Sequence, residues 1–373
     1  MKILICAVGS GGHIYPALSL ARELNRGLAP GQIILVTTKK RIEQKILKGV
    51  GFEVVNLDFI SRPSRHKDNP LIFLLQYLCF LLKFSIESIK VFILLFKIKA
   101  DVIIGFGGIN SFALIMAGAL LGIPTLIHEQ NIVPGLANRL LAKISRKVAI
   151  SFKQTNTYFK RKDVIFTGVP IRPNLKRMGS DVARRSLEID EHKFSILVFG
   201  GSQGSSFINQ ITVELARSFS DKQKENLQLI HITGDKDKQD VLQTYARLNV
   251  RSKVVDYFSE MNLAYSAADL VICRAGASTL SEINYFGLAA LLIPYPHAYG
   301  HQLINAKFMQ DQGAAFVIEQ NDKCLSNLKE LTNRLLQDDL LLAKMAKASQ
   351  NLGSNKASEK LAGLVRDLVK DRG

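Results

Sequence analysis

Short runs of valine and isoleucine alternate with segments of helical period from one end of this 373-residue chain to the other. Such alternation is typical of α/β proteins, in which helices connect parallel strands and pack against the sheet. The predicted strands are residues 2–8, 32–37, 53–57, 101–105, 124–128, 147–150, 194–199, 227–232, 253–257, 269–273, 289–293 and 315–318. We therefore expect an α/β fold of doubly wound, Rossmann-like parallel sheets.

A polar stretch, 168–180, separates the two halves of this pattern. It contains Pro170 and Pro173, carries no apolar period and is the predicted linker. We expect an N-terminal domain over 1–170 and a C-terminal domain over 171–373, with the last helix able to pack back on the N-terminal domain. Ligands of such sheets bind beyond the carboxyl ends of the strands, so the expected active site is a central cleft that both domains face.

The net charge of +17 is confined to the N-terminal half. Residues 1–180 contain 26 Lys and Arg against 9 Asp and Glu, whereas residues 181–373 contain 23 of each. A nucleic-acid binder could show this asymmetry, but the sequence contains no helix-turn-helix or RNP-like motif. An anionic membrane is therefore the better expected partner, and we expect no nucleic acid.

Residues 71–96 form an almost continuous apolar segment, preceded by the basic residues Arg62, Arg65, His66 and Lys67. Its polar residues fall on one helical stripe, and its longest charge-free stretch is shorter than the roughly 20 residues that span a bilayer. The segment predicts an amphipathic helix. One interpretation buries it between layers of the fold, and the other places part of its apolar face in the membrane. The two are compatible, since one flank can be core and the other exposed.

The cysteines show no metal-ligand or CxxC spacing and are interpreted as reduced core residues. They are Cys6, Cys79, Cys273 and Cys324. The apolar run at the N-terminus is too short for a signal peptide, so we expect the protein to remain in the cytosol.

Three glycine-rich loops follow predicted strands and open predicted helices, at residues 9–13, 105–111 and 200–205. Glycines allow close approach to an anion, and each helix N-terminus favours negative charge by roughly 0.3–1 kcal/mol. Together the loops predict a site for two anionic groups, such as a nucleotide-sugar and a diphosphate acceptor. The first loop lacks the third glycine and the acidic residue of a dinucleotide fingerprint, which argues against a nicotinamide cofactor.

Two further segments supply polar side chains at strand ends. Residues 273–282 carry a strand end into a helix in which Glu282 could accept hydrogen bonds from a ribose diol; the alternative is a solvated helix glutamate. Residues 128–131 place four polar side chains in a row, an expensive arrangement unless they line a cleft. His13 stands at the mouth of the first loop as a candidate proton acceptor, or else as a capping histidine.

These motifs together resemble the UDP-N-acetylglucosamine transferases of peptidoglycan synthesis, the MurG family. The resemblance extends from Gly9 to about Asn305 and includes the family's order of GSGGH, FGG, HEQN, GVPIR, GGSQGS, CRAGASTLSEI and HQLINA. It implies the GT-B fold and an inverting transfer from UDP-N-acetylglucosamine to lipid I, giving lipid II. It also implies peripheral attachment to the cytoplasmic face of the cell membrane and no required metal or other cofactor.

The resemblance also implies roles for individual residues. The candidate bases are His13 and Glu129. The implied donor-side contacts are Arg172, Ser202 and Gln203 for the diphosphate, Phe258 and Met261 for uracil, Glu282 for ribose, and His301 and Gln302 for N-acetylglucosamine. The implied acceptor-side residues are Ser10, Gly11, Gly12, Gly107, Gly108, Asn131 and Asn138.

Three positions depart from the family pattern: Val8, Ile109 and Val169 replace glycine, tyrosine and asparagine. The first two lie on the acceptor side, so the choice of acceptor is less firmly implied than the donor. A diacylglycerol glycosyltransferase and a UDP-N-acetylglucosamine epimerase are the alternative enzymes. A membrane-surface scaffold without activity is the alternative outside enzymes, and the intact loops with Glu282 argue against it.

Overall fold

The computed structural model describes residues 1–9, 11–27, 29, 31–57, 70–161, 163–297 and 300–370. The chain divides into two compact units. The first unit contains residues 1–170 and the C-terminal segment that begins at Lys356, and the second unit contains residues 171–355.

Parallel strands form the sheet of the first unit, in the order β3-β2-β1-β4-β5-β6-β7. They are β1 (Ile3–Cys6), β2 (Ile33–Thr37), β3 (Glu53–Asn56), β4 (Val102–Gly105), β5 (Thr125–Glu129), β6 (Lys147–Ile150) and β7 (Val164–Phe166). Strands β1, β2, β4 and β5 are buried along their whole length, as expected of a parallel sheet with helices on both faces. The edge strand β7 is absent from the sequence prediction, and the other six are confirmed.

The sheet of the second unit is also parallel and has the order β10-β9-β8-β11-β12-β13. Its strands are β8 (Phe194–Phe199), β9 (Leu227–Ile232), β10 (Ser252–Val255), β11 (Leu270–Cys273), β12 (Ala289–Leu292) and β13 (Ala315–Val317). All six match predicted strands. In both sheets the strand order reverses direction beside the first strand, which creates the crevice in which ligands of this fold class bind.

Helices cover both sheets. Those of the first unit are α1 (Gly11–Asn25), α2 (Arg41–Leu47), α3 (Pro70–Ile98), α4 (Gly108–Leu120), α5 (Leu136–Leu141), a 3₁₀ helix (Lys153–Tyr158) and α15 (Ala357–Lys370). Those of the second unit are α6 (Ser180–Ser186), α7 (Ser206–Arg217), α8 (Asp221–Asn226), α9 (Lys238–Arg247), α10 (Met261–Ala267), α11 (Ala277–Phe286), α12 (His301–Asp311), α13 (Cys324–Gln337) and α14 (Asp339–Leu352).

The C-terminal helix α15 belongs to the core of the first unit. Its apolar side chains Leu361, Val365 and Leu368 are fully buried, in one cluster with Ile14 and Leu20 of α1. The range 171–373 expected for the C-terminal domain is therefore one helix too long. The expectation that the last helix could pack back on the N-terminal domain is confirmed.

The segment predicted as a linker, 168–180, is only partly a connection. Leu175 is buried in the core of the second unit, and Met178 packs against the same core. The Met178 amide also donates to Ser266 Oγ at 3.3 Å. Most of the segment after Pro170 is therefore a structural part of the second unit, without regular secondary structure.

Helix α3 carries an exposed apolar stripe along its full length. Its buried positions, such as Phe80, Val91 and Leu95, recur at helical spacing and face the first unit's core. The opposite side exposes apolar residues at spacings of three and four, which place them on one face. This exposed stripe comprises Ile72, Leu75, Leu78, Leu82, Ile86, Ile89, Ile93 and Phe96. One flank of α3 therefore lies in the core and the other is exposed, so burial between layers holds for the core-facing flank and not for the whole helix.

Two other expectations concern this region. Cys79 is exposed on α3, so the expectation of a core position fails for this cysteine, while Cys6, Cys273 and Cys324 are buried and all four are free thiols.

Across the part of the chain that the structure describes, no helix combines the length and apolar character needed to cross a membrane. The basic residues of 62–67 lie outside the described residues.

Replacing Leu361 with alanine should lower the free energy of unfolding by about 2–5 kcal/mol, because it leaves a cavity in the first unit's core. The control is Leu340→Ala, since Leu340 of α14 is 85% exposed and its truncation should cost less than about 0.5 kcal/mol. Urea denaturation followed by circular dichroism measures both effects. Equal effects of the two substitutions would contradict the placement of α15.

Candidate active site

The loops that follow β1, β4 and β5 lie side by side in the first unit. These strands are neighbours, with Cys6 paired to Gly105 and Gly105 paired to Ile127. Because parallel strands end at the same edge, the residues that follow them gather there. The candidate residues of 9–13, 105–111 and 128–138 therefore belong to one edge of one sheet.

His13 lies in the first turn of α1 and keeps part of its side chain exposed. Its Nδ1 is 3.2 Å from the carbonyl oxygen of Val8. A carbonyl oxygen can only accept, so Nδ1 carries the proton and Nε2 presents a lone pair. Burial lowers the pKa of His13 below its ordinary value of 6.5, although the bond to Val8 opposes part of this shift. The imidazole is therefore neutral at neutral pH and able to accept a proton.

The first glycine loop rests on Glu43, a buried residue of α2 that sequence reasoning missed. Glu43 Oε1 accepts from the Gly9 amide at 2.9 Å, and Oε2 accepts from the amide and hydroxyl of Thr38 at 2.6 and 2.7 Å. Gly9 has a φ of 115°, which side chains rarely adopt, and a Cβ there would lie 3.1 Å from the ring of His13. Glu43 and Gly9 together shape the loop that holds His13.

The second glycine loop contacts the loop after β5. Gly107 and Gly108 have φ angles of 94° and 80° and open α4. A Cβ at Gly107 would lie 3.3 Å from Nδ2 of Asn138. The Oδ1 atom of this buried asparagine has no hydrogen-bond partner among the described residues. Two predicted acceptor-side positions thus meet, with an unused hydrogen-bond acceptor between the loops.

Glu129, a candidate base, is buried and accepts hydrogen bonds from its own loop. Oε1 accepts from the backbone and side-chain nitrogens of Asn131 at 2.9 and 3.3 Å. Oε2 accepts from the Gly135 amide at 3.1 Å and from Asn138 Nδ2 at 2.7 Å. Burial raises the pKa of Glu129, and these four hydrogen bonds oppose the shift. The geometry favours a role in holding the loop over a role as a proton acceptor.

His128 and Gln130 are buried and bonded within the first unit. His128 Nε2 is 2.9 Å from the Gly168 carbonyl oxygen, and Gln130 Nε2 donates to the Phe106 carbonyl oxygen at 2.9 Å. Burial lowers the pKa of His128 to about 4. The expectation that the whole row 128–131 lines a cleft is therefore wrong for these two side chains, which brace the strand ends.

In the second unit, the third glycine loop joins β8 to α7. Ser202 is half-buried and Gln203 is exposed, and Ser205 caps the helix by accepting from the Ile208 amide at 3.4 Å. Arg274, which follows β11, donates to Ser205 Oγ at 3.2 Å and is itself largely buried. A helix N-terminus and a buried guanidinium thus lie together at this loop, an arrangement that favours an anion.

Glu282 of α11 lies in a buried hydrogen-bonded group with Arg172 and Tyr265. Arg172 Nε donates to Oε1 at 2.8 Å, and the Tyr265 hydroxyl donates to Oε2 at 2.9 Å. Burial raises the pKa of the Glu282 carboxyl, and Arg172 opposes the shift. The structure therefore brings two predicted donor-side residues into contact and adds Tyr265, which the sequence analysis did not name. The interpretation of Glu282 as a solvated helix residue is wrong.

The remaining donor-side candidates have mixed positions. Phe258 is half-buried, whereas Met261 is buried in the core of the second unit. Gln302 Oε1 accepts from the amides of Ala275 and Tyr295 at 3.2 and 3.0 Å, which ties the start of α12 to the loop after β11. His301, half-buried, precedes it at the N-terminus of this helix.

Residues 3–150 match the N-terminal domain of glycosyltransferase family 28, and residues 195–361 match its C-terminal domain. The UDP-N-acetylglucosamine–N-acetylmuramyl-(pentapeptide) pyrophosphoryl-undecaprenol N-acetylglucosamine transferase of Halothermothrix orenii is 37% identical, over 99% of this chain and 100% of its own. The enzyme of the same name from Thermodesulfovibrio yellowstonii is 36% identical over 99% of both chains.

The crystal structure of Acinetobacter baumannii MurG is 27% identical, with a TM-score of 0.75 over 98% of this chain and 100% of that chain. The chain belongs to the MurG family. A UDP-N-acetylglucosamine 2-epimerase structure has a TM-score of 0.65 at 12% identity, over 97% of this chain and 94% of that chain, and shares the fold alone. Like MurG of A. baumannii, the chain consists of two parallel-sheet domains of the GT-B class.

The structure describes only part of the acceptor-side loops that the family pattern includes. Ser10 lies outside the described residues, as does the side chain of Ile109, one of the departures from the family pattern. Gly11 is buried and Gly12 half-buried at the start of α1. Within the described ranges, no three His, Cys, Asp or Glu side chains are grouped as metal ligands.

Replacing Glu129 with alanine should lower the free energy of unfolding on the order of 3 kcal/mol, because several buried donors lose their acceptor. The control is Glu53→Ala, since Glu53 is exposed on the edge strand β3 and its loss should cost less than about 0.5 kcal/mol. Thermal and urea denaturation measure both. A Glu129→Ala protein as stable as its parent would contradict the role of this carboxylate in holding the loop.

Proposed function

We propose that the protein transfers N-acetylglucosamine from UDP-N-acetylglucosamine to the 4-hydroxyl of the muramyl sugar of lipid I, giving lipid II. The observation that carries the proposal is the buried contact between Arg172 and Glu282, in a chain that matches relatives named for this reaction over 99% of its length. The reaction is an inverting one, in which the acceptor oxygen attacks the anomeric carbon from the face opposite to UDP.

The second unit is the proposed donor side. A carboxylate oxygen has two lone pairs, so Glu282 Oε1 can accept from a ribose hydroxyl beside its bond to Arg172. The Arg172 guanidinium, the N-terminus of α7 and the loop residues Ser202 and Gln203 supply donors and positive charge for the diphosphate. Phe258, His301 and Gln302 are the proposed contacts to the base and the sugar. We assign Met261 to the uracil side only through packing, because it is buried.

The first unit is the proposed acceptor side, with His13 as the base. Nδ1 of His13 is held by the Val8 carbonyl, so Nε2 is the atom that takes the proton from the acceptor hydroxyl. The new bond forms between the acceptor oxygen and the anomeric carbon while UDP leaves with the bonding electrons. The backbone of Gly107 and Gly108 is proposed to orient the acceptor, with the buried Asn138 packed against Gly107. Glu129 supports this loop through its four hydrogen bonds.

The transfer is proposed to require no metal. The departing UDP gains negative charge, and preorganised helix N-termini with Arg172 can stabilise that charge as a divalent ion does in other transferases. The support is the Arg274 guanidinium at the capped α7 terminus, together with the Arg172 guanidinium beside Glu282 of α11.

The deciding experiment is a transfer assay with UDP-N-acetylglucosamine. Lipid I should be converted to lipid II, diacylglycerol should not be glycosylated, and turnover should persist in EDTA. Glu282→Ala should abolish most UDP binding in calorimetry without unfolding the protein. Transfer to diacylglycerol alone would overturn the proposed acceptor, and unchanged UDP affinity in Glu282→Ala would overturn the donor site.

Replacing His13 with glutamine should lower turnover by ~10²–10⁴ while UDP affinity changes little, because general-base catalysis contributes an effect of that size. The base must be neutral, and burial holds the pKa of His13 below 6.5. As pH falls, kcat/KM should therefore decline with a midpoint below 6.5. A midpoint above that value, or a variant with nearly full turnover, would remove His13 from this role.

The partner proposed for α3 is the anionic inner surface of the cytoplasmic membrane, with the protein bound peripherally. The exposed apolar stripe supports this, because large contiguous apolar patches on soluble proteins mark binding surfaces. Lys83 and Lys97 are exposed along the same helix, whereas Lys90 is paired with Glu87 at 2.6 Å. Each lysine or arginine close to an anionic leaflet contributes about 1 kcal/mol. The excess charge of residues 1–180 adds to this attraction.

Replacing both Leu82 and Ile89 with glutamate should abolish most binding to vesicles that contain anionic lipid, because two charges would enter the apolar stripe. High salt should weaken the parent's binding only in part, since salt does not screen apolar insertion. The control is Leu340→Glu, a change at an exposed leucine of the second unit. Cosedimentation measures the vesicle binding of the parent, the double variant and the control. Arg62, Arg65 and Lys67 can be tested in the same assay by substitution with glutamate, with weaker binding expected.

A further inference from the structure

A chain of buried polar side chains in the second unit is not used by the proposed reaction. The Tyr245 hydroxyl lies 2.8 Å from His231 Nδ1, and His231 Nε2 lies 3.1 Å from Asn209 Oδ1. Asn209 Nδ2 contacts the Thr233 carbonyl oxygen at 2.9 Å and Asp237 Oδ2 at 2.8 Å. The first three side chains are essentially inaccessible to solvent. This series of hydrogen bonds connects α9, β9, α7 and the loop after β9.

The donor and acceptor of each hydrogen bond in this series follow from the two acceptors at one end, the Thr233 carbonyl oxygen and the Asp237 carboxylate. The Thr233 carbonyl and the Asp237 carboxylate accept, so the Asn209 atom that faces them is the amide nitrogen and its oxygen faces His231. His231 Nε2 must then carry the proton and donate. Nδ1 is left as an acceptor, and Tyr245 donates to it. One tautomer of His231 and one orientation of Asn209 satisfy every member.

The far end of this chain supports the third glycine loop. Asn209 lies in the first turns of α7, the helix that this loop opens. The Thr233 carbonyl oxygen that accepts from Asn209 is also the atom on which the loop rests, since a Cβ at Gly204 would lie 2.3 Å from it. The close packing of Gly204 on Thr233, and the hydrogen bond from Asn209 to the same carbonyl, therefore link the position of Asn209 to this loop.

Charge at His231 does not vary in the working range of pH. Burial lowers its pKa to about 3, so the ring is neutral in the folded protein. A neutral histidine with both nitrogens bonded can be neither a base nor a metal ligand here. Its two hydrogen bonds can still fix the positions of Tyr245 and Asn209 relative to each other.

We propose that Tyr245 and His231 are positioning residues for the donor diphosphate, which they serve by holding Asn209 and Thr233 beneath the loop of residues 200–205. The inference rests on the proposed function, because it assumes that this loop binds the diphosphate of UDP-N-acetylglucosamine. It predicts a selective defect: the affinity for the diphosphate should fall, while the base and ribose contacts, which lie outside residues 200–205, should be kept.

The test compares the affinities of UDP and uridine by calorimetry in the full-length protein. Tyr245→Phe removes only the hydroxyl, and His231→Leu removes both ring nitrogens. Each should weaken UDP binding by about tenfold or more and uridine binding by less than about twofold, since the lost hydrogen bonds act on the diphosphate loop. His231→Gln retains a donor and an acceptor and should recover part of the UDP affinity.

The matched control is Thr212→Val, which removes a buried hydroxyl from the same helix α7. Thr212 Oγ1 donates to the Ile208 carbonyl oxygen at 2.8 Å, outside the hydrogen bonds that join Tyr245, His231 and Asn209. This variant should lower the melting temperature without changing the ratio of UDP to uridine affinity. If Thr212→Val changes the ratio as much as Tyr245→Phe does, the effect is one of general helix stability and the proposal fails.

Equal losses for UDP and uridine in Tyr245→Phe, or no loss for either, would also overturn the positioning role. If His231→Leu does not fold, Tyr245→Phe decides the question because it retains the ring and its packing. Failure of the proposed function itself has a different signature: the parent would not bind UDP, or Glu282→Ala would leave uridine binding unchanged. With those two controls as expected, the ratio of UDP to uridine affinity tests only the positioning role.

Discussion

The parallel pairing of each sheet is the constraint on which the rest of the structure depends. In a parallel sheet every strand ends at the same edge, so every loop from strand to helix begins there. The glycine loops after β1, β4 and β8 are therefore turns that the topology requires, and the chemistry is added by their sequences. Loops far apart in the chain become neighbours without any long-range signal between them, as residues Gly107 and Asn138 illustrate.

Loops at such an edge need internal support, and buried carboxylates provide much of it. Glu43, Glu129 and Glu282 are each nearly inaccessible, and both oxygens of each accept hydrogen bonds. A buried carboxylate is costly unless its lone pairs are satisfied. The first two are satisfied mainly by backbone and side-chain N–H groups of their loops, so the same bonds that offset desolvation also fix the loop. Glu282 differs because a cation, Arg172, supplies one of its bonds.

Much of the fold followed from local sequence, because buried parallel strands have strong local patterns. Twelve predicted strands are present, whereas β7 is only three residues long and partly exposed, so it carries no comparable pattern. The position of α15 could not be settled locally, since its amphipathic sequence shows a buried face but not the partner of that face.

The candidate site divides in the same way. Residues on glycine loops, such as His13 and Gly107, were predictable because the motif itself marks a strand end. Glu43 and Tyr265 were not, because each is a single residue within an ordinary helical pattern and acts through a contact that only the folded chain creates. The motifs also do not predict which of their side chains are buried. Burial separates Met261 and His128, which are in the interior, from neighbours in the same motifs that keep part of their surface exposed.

The stability of the first unit does not explain the exposed stripe of α3. The buried positions of this helix, such as Val91 and Leu95, suffice to attach it to the core. Full burial of a leucine or isoleucine side chain is worth roughly 1.5–3 kcal/mol, so leaving a whole stripe of them in water forgoes a large favourable term. A helix that needed only to cover the sheet would carry polar residues at these positions. The apolar character of the stripe therefore fits an environment outside the folded chain, and the membrane surface proposed as the partner of α3 would supply such an environment.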